Sequence, residues 1–362
     1  MIDNIKSVSF NGIKVFIFTL VSLTVIHSWL YIALDKGNQL SGTGNSCVMN
    51  YTKNTKMNRN STLRSVLKHF IAIEQEEGVG AHVRRSIGSM KMRRFPPFLM
   101  LDDFTLKPPA GFPDHPHHGQ ETITYTLDGM IAHEDFTGSK GVLYPGDLQF
   151  MTAGRGIVHS EIPVALENGG YTNGLQLWVD LPSKSKDCEP RYRNLRREET
   201  PEVKVNNDLK VRVISGKSYG VNSLTELAYT PINFYHFITG KKGTKFLQEF
   251  PENFNVFLYI MKGSVILNDE VFPKHSAIFF NNDGAVVSGA SAADSTEFVL
   301  VGGEILDQEV VQHGPFVETS RERMMAVFKN YQNGMNGFEK AHSWSSTIAR
   351  GVSEKEAKEF DN

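Results

Sequence analysis

The chain has 362 residues, 40% of them hydrophobic and 22% charged, and a formal net charge of −2. That near-neutral balance excludes binding to nucleic acid or anionic lipid driven by bulk charge, though not contact with DNA through a partner protein. Two cysteines, Cys47 and Cys188, exclude a disulfide framework and any Cys-rich zinc or iron–sulfur site, and they point to a reducing compartment for the folded part.

Residues 1–61 read as an N-terminal extension. Within it, residues 15–34 (VFIFTLVSLTVIHSWLYIAL) are uncharged over twenty positions. That matches the length of a membrane-spanning helix and exceeds the apolar core of a usual signal peptide. Thr19, Ser22, Thr24, His27 and Ser28 dilute it. Two expectations stand side by side: a membrane anchor or uncleaved signal, or an extension without a function of its own. Residues 35–62 are rich in Gly, Ser, Asn, Thr and Lys, the composition of a linker or disordered arm. Asn50 and Asn60 head glycosylation tripeptides, which matter only on a secretory route.

Pattern begins after residue 62. VLKHFIAIEQEEGVGAHVRRSIG reads as short strands with a turn at Gly78 and Gly80. From there to about residue 315, short apolar runs alternate with Gly, Pro, Asn and Asp, and no long 3.6-residue period intervenes. The body is predicted to be all-β. TITYTLDGMIAHED…YPGDLQF is echoed by VFLYIMKGSVILND…FPKHSAIFF, with Gly129 and Gly263 in corresponding turns. A spacing of that size marks a duplicated domain, so two tandem barrels or double-sheet jelly rolls are expected. The expected bounds are 62–190 and 205–315, divided by the polar stretch 182–208. Residues 316–362 form a helix and tail, with Ser320 as N-cap and Gly334 as stop.

The histidines are unevenly spread. Five of the twelve fall between His115 and His159. In a strand, residues two apart share a face, so His115 and His117 of DHPHHG point together, as do His159 and Glu161 of GIVHSEIP. Two such pairs brought together supply three imidazoles and a carboxylate, a donor set for a first-row divalent metal with open positions. Iron fits it better than structural zinc, which favours Cys-containing sets. A lone H-x-H is an ordinary surface pattern; the second pair gives it weight. Glu121 rivals Glu161, because periodicity along one strand puts it with His115 and His117. His118 is expected to face away, His133 and Glu134 to face solvent, and His236 and His275 to be structural.

FPPFLMLDDF, GFPDHPHHGQETITY, HEDFTG, PGDLQFMTAGRGIVHSEIP, GLQLWVDLPS and HGPFV, in this order, resemble pirin, a family of the cupin superfamily. The resemblance runs from about residue 65 to about 350, and residues 1–60 have no counterpart in it. It implies an all-β bicupin of two tandem jelly-roll β-barrels with a short C-terminal helix. It also implies one Fe(2+) in the N-terminal barrel, held by His115, His117, His159 and Glu161, and a metal-free second barrel. The sequence departs from the family pattern D-H-P-H-R-G-F-E-T at His118 and Gln120, which puts the surroundings of the metal in doubt. Two roles follow from the resemblance. One is a quercetin 2,3-dioxygenase acting on a flavonol-like aromatic substrate with dioxygen, Glu161 serving also as base. The other is an iron-redox-dependent co-regulator that binds transcription factors or signalling proteins without direct nucleic-acid contact. The basic residues His82, Arg84 and Arg85 are a candidate contact in the second role. Nucleus and cytoplasm are the implied locations, and membrane anchoring through 15–34 is the alternative.

Overall fold

The computed structural model describes residues 49–50, 62–77 and 80–360. The apolar segment 15–34, Cys47, Asn60 and the Gly78 half of the predicted turn lie outside the described residues. No helix among the described residues is long and apolar enough to cross a membrane.

Two β-sandwiches stand side by side. The first pairs a seven-stranded sheet with a five-stranded one; the second pairs an eight-stranded sheet with a four-stranded one. In the first, the strands Gln120–Asp128, Leu148–Thr152 and Thr172–Asp180 form the centre of the large sheet. In the second, Ile232–Thr239, Glu297–Glu304 and Phe254–Lys262 do the same. The internal echo is real in three dimensions: Gly129 and Gly263 both hold left-handed φ, +72° and +73°. A Cβ at either would strike a threonine, Thr172 or Thr296, so both turns require glycine.

Strand alternation decides what fills each space. Along Gln120–Asp128, Ile123 and Tyr125 join a core shared with Phe257, Tyr259, Val299 and Val301 of the second sandwich. The two large sheets therefore stack back to back, and Phe98 meets Phe257 edge-on at 5.0 Å. Each such buried ring stabilises the contact by about 1.5–3 kcal/mol. The alternate residues, Thr122 and Thr124, are buried on the opposite face, inside the first sandwich. The interior of the second holds Val211, Phe237, Phe246 and Phe298 instead, with Phe237 stacked on Phe298 at 5.0 Å. The first sandwich has polar side chains inside around the histidines and an apolar cluster of Val83, Phe104, Ile131 and Leu143 beside them, whereas the second is filled with hydrocarbon.

The division expected at 62–190 and 205–315 is crossed once, and the 316–362 tail joins the first sandwich. Val66–Ile71 pairs with Ser276–Phe280 and so completes the second sandwich, not the first. At the other end, Val352–Ser353 pairs with Ile157–Ala165 of the first. Nor is 182–208 a mere linker, since Arg191–Leu195 adds a strand beside Leu148–Thr152. The basic residues are also different from the expectation. Arg84 pairs with Glu74 at 2.6 Å, and Arg85 is clamped between Glu77 and Asp102 at 3.1 and 2.7 Å. These are strand-pinning ion pairs, not free positive charge.

Helix α1 spans Arg321–Asn333. Ser320 accepts a hydrogen bond from the Arg323 amide, and Gly334 ends the helix in the left-handed region. Met324 and Val327 pack with Phe136, Met151, Ile157 and Phe316, so the helix lies back on the first sandwich. Ser320→Ala is expected to cost about 1 kcal/mol of stability, measured by urea unfolding.

Candidate metal centre

The strand Phe112–His117 runs antiparallel to Ile157–Ala165, with His115 directly opposite His159 and His117 opposite Ile157. A bulge between His159 and Glu161 shifts the register on this side. On the other side Glu161 lies opposite His133. His115, His117 and His159 each bring a ring nitrogen to within 4.8 Å of the other two. Their ring centroids are 4.3 to 5.1 Å apart.

The electrostatics of this cluster are those of lone pairs, not cations. Burial lowers the His115 pKa to about 4, despite the Pro113 carbonyl nearby. Burial and neighbouring imidazoles hold His117 and His159 well below the ordinary histidine value. His115 Nδ1 donates to the Pro113 carbonyl at 3.0 Å, which leaves its Nε2 as the lone-pair atom. His117 Nε2 and both nitrogens of His159 are buried without a hydrogen-bond partner. Buried polar atoms are rarely left so. A cation that accepts imidazole lone pairs takes up one nitrogen of each of the three residues at once, so the donor set fits a divalent transition metal.

Glu161 is buried inside the same sandwich. Thr124 Oγ1 donates to its Oε1 at 2.9 Å and Gln176 Nε2 to its Oε2 at 3.1 Å. Burial pushes its carboxyl up to about 7 against those two hydrogen bonds. Its carboxylate stands outside the three-histidine group. Glu121 is placed elsewhere: it accepts from Thr152 Oγ1 and from the amides of Tyr229 and Thr230. The expected parity between Glu121 and the histidines fails because Phe112–His117 and Gln120–Asp128 are separate strands. Gly119, at φ +68°, turns the chain between them.

Two further expectations are corrected, those for His133 and Glu134, while His118 faces away from the cluster as expected. His133 is buried, 2% exposed, on the strand Ile131–Asp135 rather than in a solvated turn. It stacks on Tyr192 with ring centroids 6.2 Å apart. Glu134, beside it, accepts from the Thr347 amide at 2.7 Å, which ties the C-terminal tail to the strand. His118 is also buried, and its Nε2 donates to Glu318 Oε1 at 3.0 Å. His118, Asp187 and Glu318 converge as a second group, but the Arg323 guanidinium already bonds both carboxylates. His236 is structural as expected, 2.9 Å from the Tyr125 hydroxyl and 3.4 Å from Glu297. His275 lies 3.2 Å from the Tyr259 hydroxyl.

Sequence reasoning missed Trp178, whose ring meets His117 edge-on at 5.0 Å, and Gln176 and Thr124, which hold Glu161. The available signal was strand parity, since Gln176 and Trp178 share a face of GLQLWVDL.

The His118–Glu318 pair carries a pH prediction. Burial works against the Glu318 carboxylate, yet hydrogen bonds from His118 and Arg323 hold its pKa down to about 2. A folded value below the unfolded one means stability present above the unfolded pKa and lost as pH falls toward 2. Glu318→Gln is therefore expected to cost up to about 3 kcal/mol at pH 7 and progressively less below pH 4. Urea unfolding at both pH values measures the difference.

A double β-sandwich with histidines converging between the sheets of one half, and its mate packed solid, defines the cupin class in its two-barrel form. The chain belongs to the pirin family. Residues 80–179 match the Pirin family model and residues 235–337 the Pirin C-terminal cupin domain. Pirin-like protein 2 of Arabidopsis thaliana is 41% identical over 327 residues, covering 87% of this chain and 99% of that protein. Pirin of Homo sapiens is 41% identical over 291 residues, covering 79% and 98%. Among solved structures, a quercetin 2,3-dioxygenase from Acinetobacter baumannii superposes with a TM-score of 0.70. It is 26% identical, over 75% of this chain and 98% of that one.

Proposed function

We propose that this protein is an iron-dependent oxygenase acting on a flavonol-like aromatic substrate, with His115, His117, His159 and Glu161 as the metal ligands. The observation that carries the proposal is the set of buried imidazole nitrogens on His117 and His159, unpartnered among the described residues, facing His115 between the sheets of the first sandwich. Likeness to the quercetin 2,3-dioxygenase supports the substrate class. Bound iron would supply Lewis acidity toward a substrate oxygen and redox chemistry with dioxygen.

The chain's own residues do the rest. Burial keeps the three imidazoles neutral, so their lone pairs stay available near and below neutral pH. Thr124 and Gln176 fix Glu161 from the opposite sheet. The Glu161 carboxylate, held in place by Thr124 and Gln176, is the group that takes the proton of an acidic substrate hydroxyl. Trp178 packs edge-on against the His117 ring and holds its orientation.

The test is direct. Protein loaded anaerobically with iron and mixed with quercetin should, on admission of oxygen, release carbon monoxide and lose the flavonol absorbance. Stoichiometric iron with neither change overturns the oxygenase reading.

A further inference from the structure

Gln120 stands where the family pattern reads Phe, one strand residue beyond the Gly119 turn. It is fully buried. Its Nε2 lies 2.7 Å from His117 Nδ1 and donates to the Pro315 carbonyl at 3.0 Å, while its Oε1 has no partner. A phenyl ring at this position has nothing to offer His117 Nδ1.

We infer that Gln120 is a positioning residue for the metal centre: its amide fixes the tautomer of His117 and sets how strongly that imidazole donates to the metal. The inference rests on the metal-centre reading above. His117 faces the other histidines with an unpartnered Nε2. Ligation through Nε2 requires the ring proton on Nδ1, and a buried Nδ1–H requires an acceptor. The side chain within reach is the Gln120 amide, 2.7 Å away. A half-turn about its last bond exchanges Oε1 and Nε2. Oε1 then accepts from Nδ1–H, while Nε2 takes the place where Oε1 finds no partner and gives up the Pro315 carbonyl, a cost that ligation at His117 Nε2 has to exceed. The Pro315 carbonyl keeps a donor in that arrangement, because the His118 amide also reaches it at 3.2 Å. As placed, the amide nitrogen faces both His117 Nδ1 and the Pro315 carbonyl; ligation through His117 Nε2 selects the exchanged orientation. An acceptor on the outer nitrogen makes an imidazole the stronger donor and favours the more oxidised ion.

The experiment is a graded series at this one position: wild type, Gln120→Leu and Gln120→Glu, each loaded with iron. Readouts are the Fe(III)/Fe(II) midpoint potential by spectroelectrochemistry and the iron dissociation constant. Leu removes the acceptor and should raise the midpoint potential and weaken iron binding about 10–100-fold, the usual effect of losing an outer partner. Glu offers a stronger acceptor and should lower the potential below wild type. A merely space-filling residue would not order the potentials this way. Equal potentials in iron-loaded wild type and Gln120→Glu overturn the inference, whatever the fate of the Leu variant. Wild-type protein that takes up no iron overturns the metal-centre reading itself, and this inference with it.

Discussion

His159→Ala is expected to abolish stoichiometric iron binding while leaving the metal-free fold intact. Among the three converging histidines, His159 has both ring nitrogens buried and unpartnered, and it sits 1% exposed against His115. Nothing among the described residues competes for its lone pair. Removing it leaves two imidazoles and Glu161, so affinity should fall by more than the about 10–100-fold typical of losing an outer-shell partner. The effect on folding is smaller, because two terms oppose. The substitution opens a cavity, which destabilises, and it deletes polar atoms that were buried without partners, which stabilises. We expect the net change in unfolding free energy to stay within about 2 kcal/mol. Elemental analysis after iron loading, together with urea unfolding, separates the two effects. A His159→Ala protein that retains one equivalent of iron sinks the ligand assignment.

Lys186→Met is expected to produce the largest loss of stability, about 3–5 kcal/mol, because it strands a buried carboxylate. Lys186 is fully buried. Its Nζ bonds Asp180 Oδ1 at 2.7 Å, the Gly119 carbonyl at 2.8 Å and the Val317 carbonyl at 3.3 Å. Three acceptors on one ammonium use all its protons, and they come from three separate parts of the chain. Gly119 closes the histidine loop, Asp180 ends a central strand, and Val317 belongs to the strand before α1. Methionine fills the volume without the charge, so the loss comes from Asp180 left unpaired and two carbonyls left without their donor. Lys186→Met/Asp180→Leu should recover much of it, since the stranded charge is then gone. The loop carrying His117 and His118 loses an anchor in both variants, so iron affinity should fall even in the double variant. A shift of less than about 1 kcal/mol in Lys186→Met would show that the ammonium is dispensable.

The site was legible in the sequence to the extent that it depends on local spacing. DHPH and HSE each put two donors on one face of a short strand, and the structure brings three of those four together. The choice between Glu121 and Glu161 was not legible from periodicity, because Gly119 ends one strand and the count restarts after it. The burial of His133 was hidden for a related reason: AHEDFTG is polar in composition, and its burial comes from partners on both sides, Ile157–Ala165 and Lys140–Leu143. Long-range pairing explains the misplaced Val66–Ile71 strand. Its partner lies some 200 residues away, and alternation of apolar residues says nothing about which sheet receives them. What the pattern did carry was the duplicated hairpin, the all-β class and both caps of α1, each of which is written within a few residues.

The exchange of ends between the two sandwiches has a consequence for the handling of the molecule. The opening strand belongs to the later copy, and the closing strand and α1 belong to the earlier one. A cut in 196–201, between the strand Arg191–Leu195 and the second sandwich, is therefore expected to leave two fragments that still clasp each other, each incomplete if made alone. The sandwich without a histidine cluster thus serves as the fastening of the other.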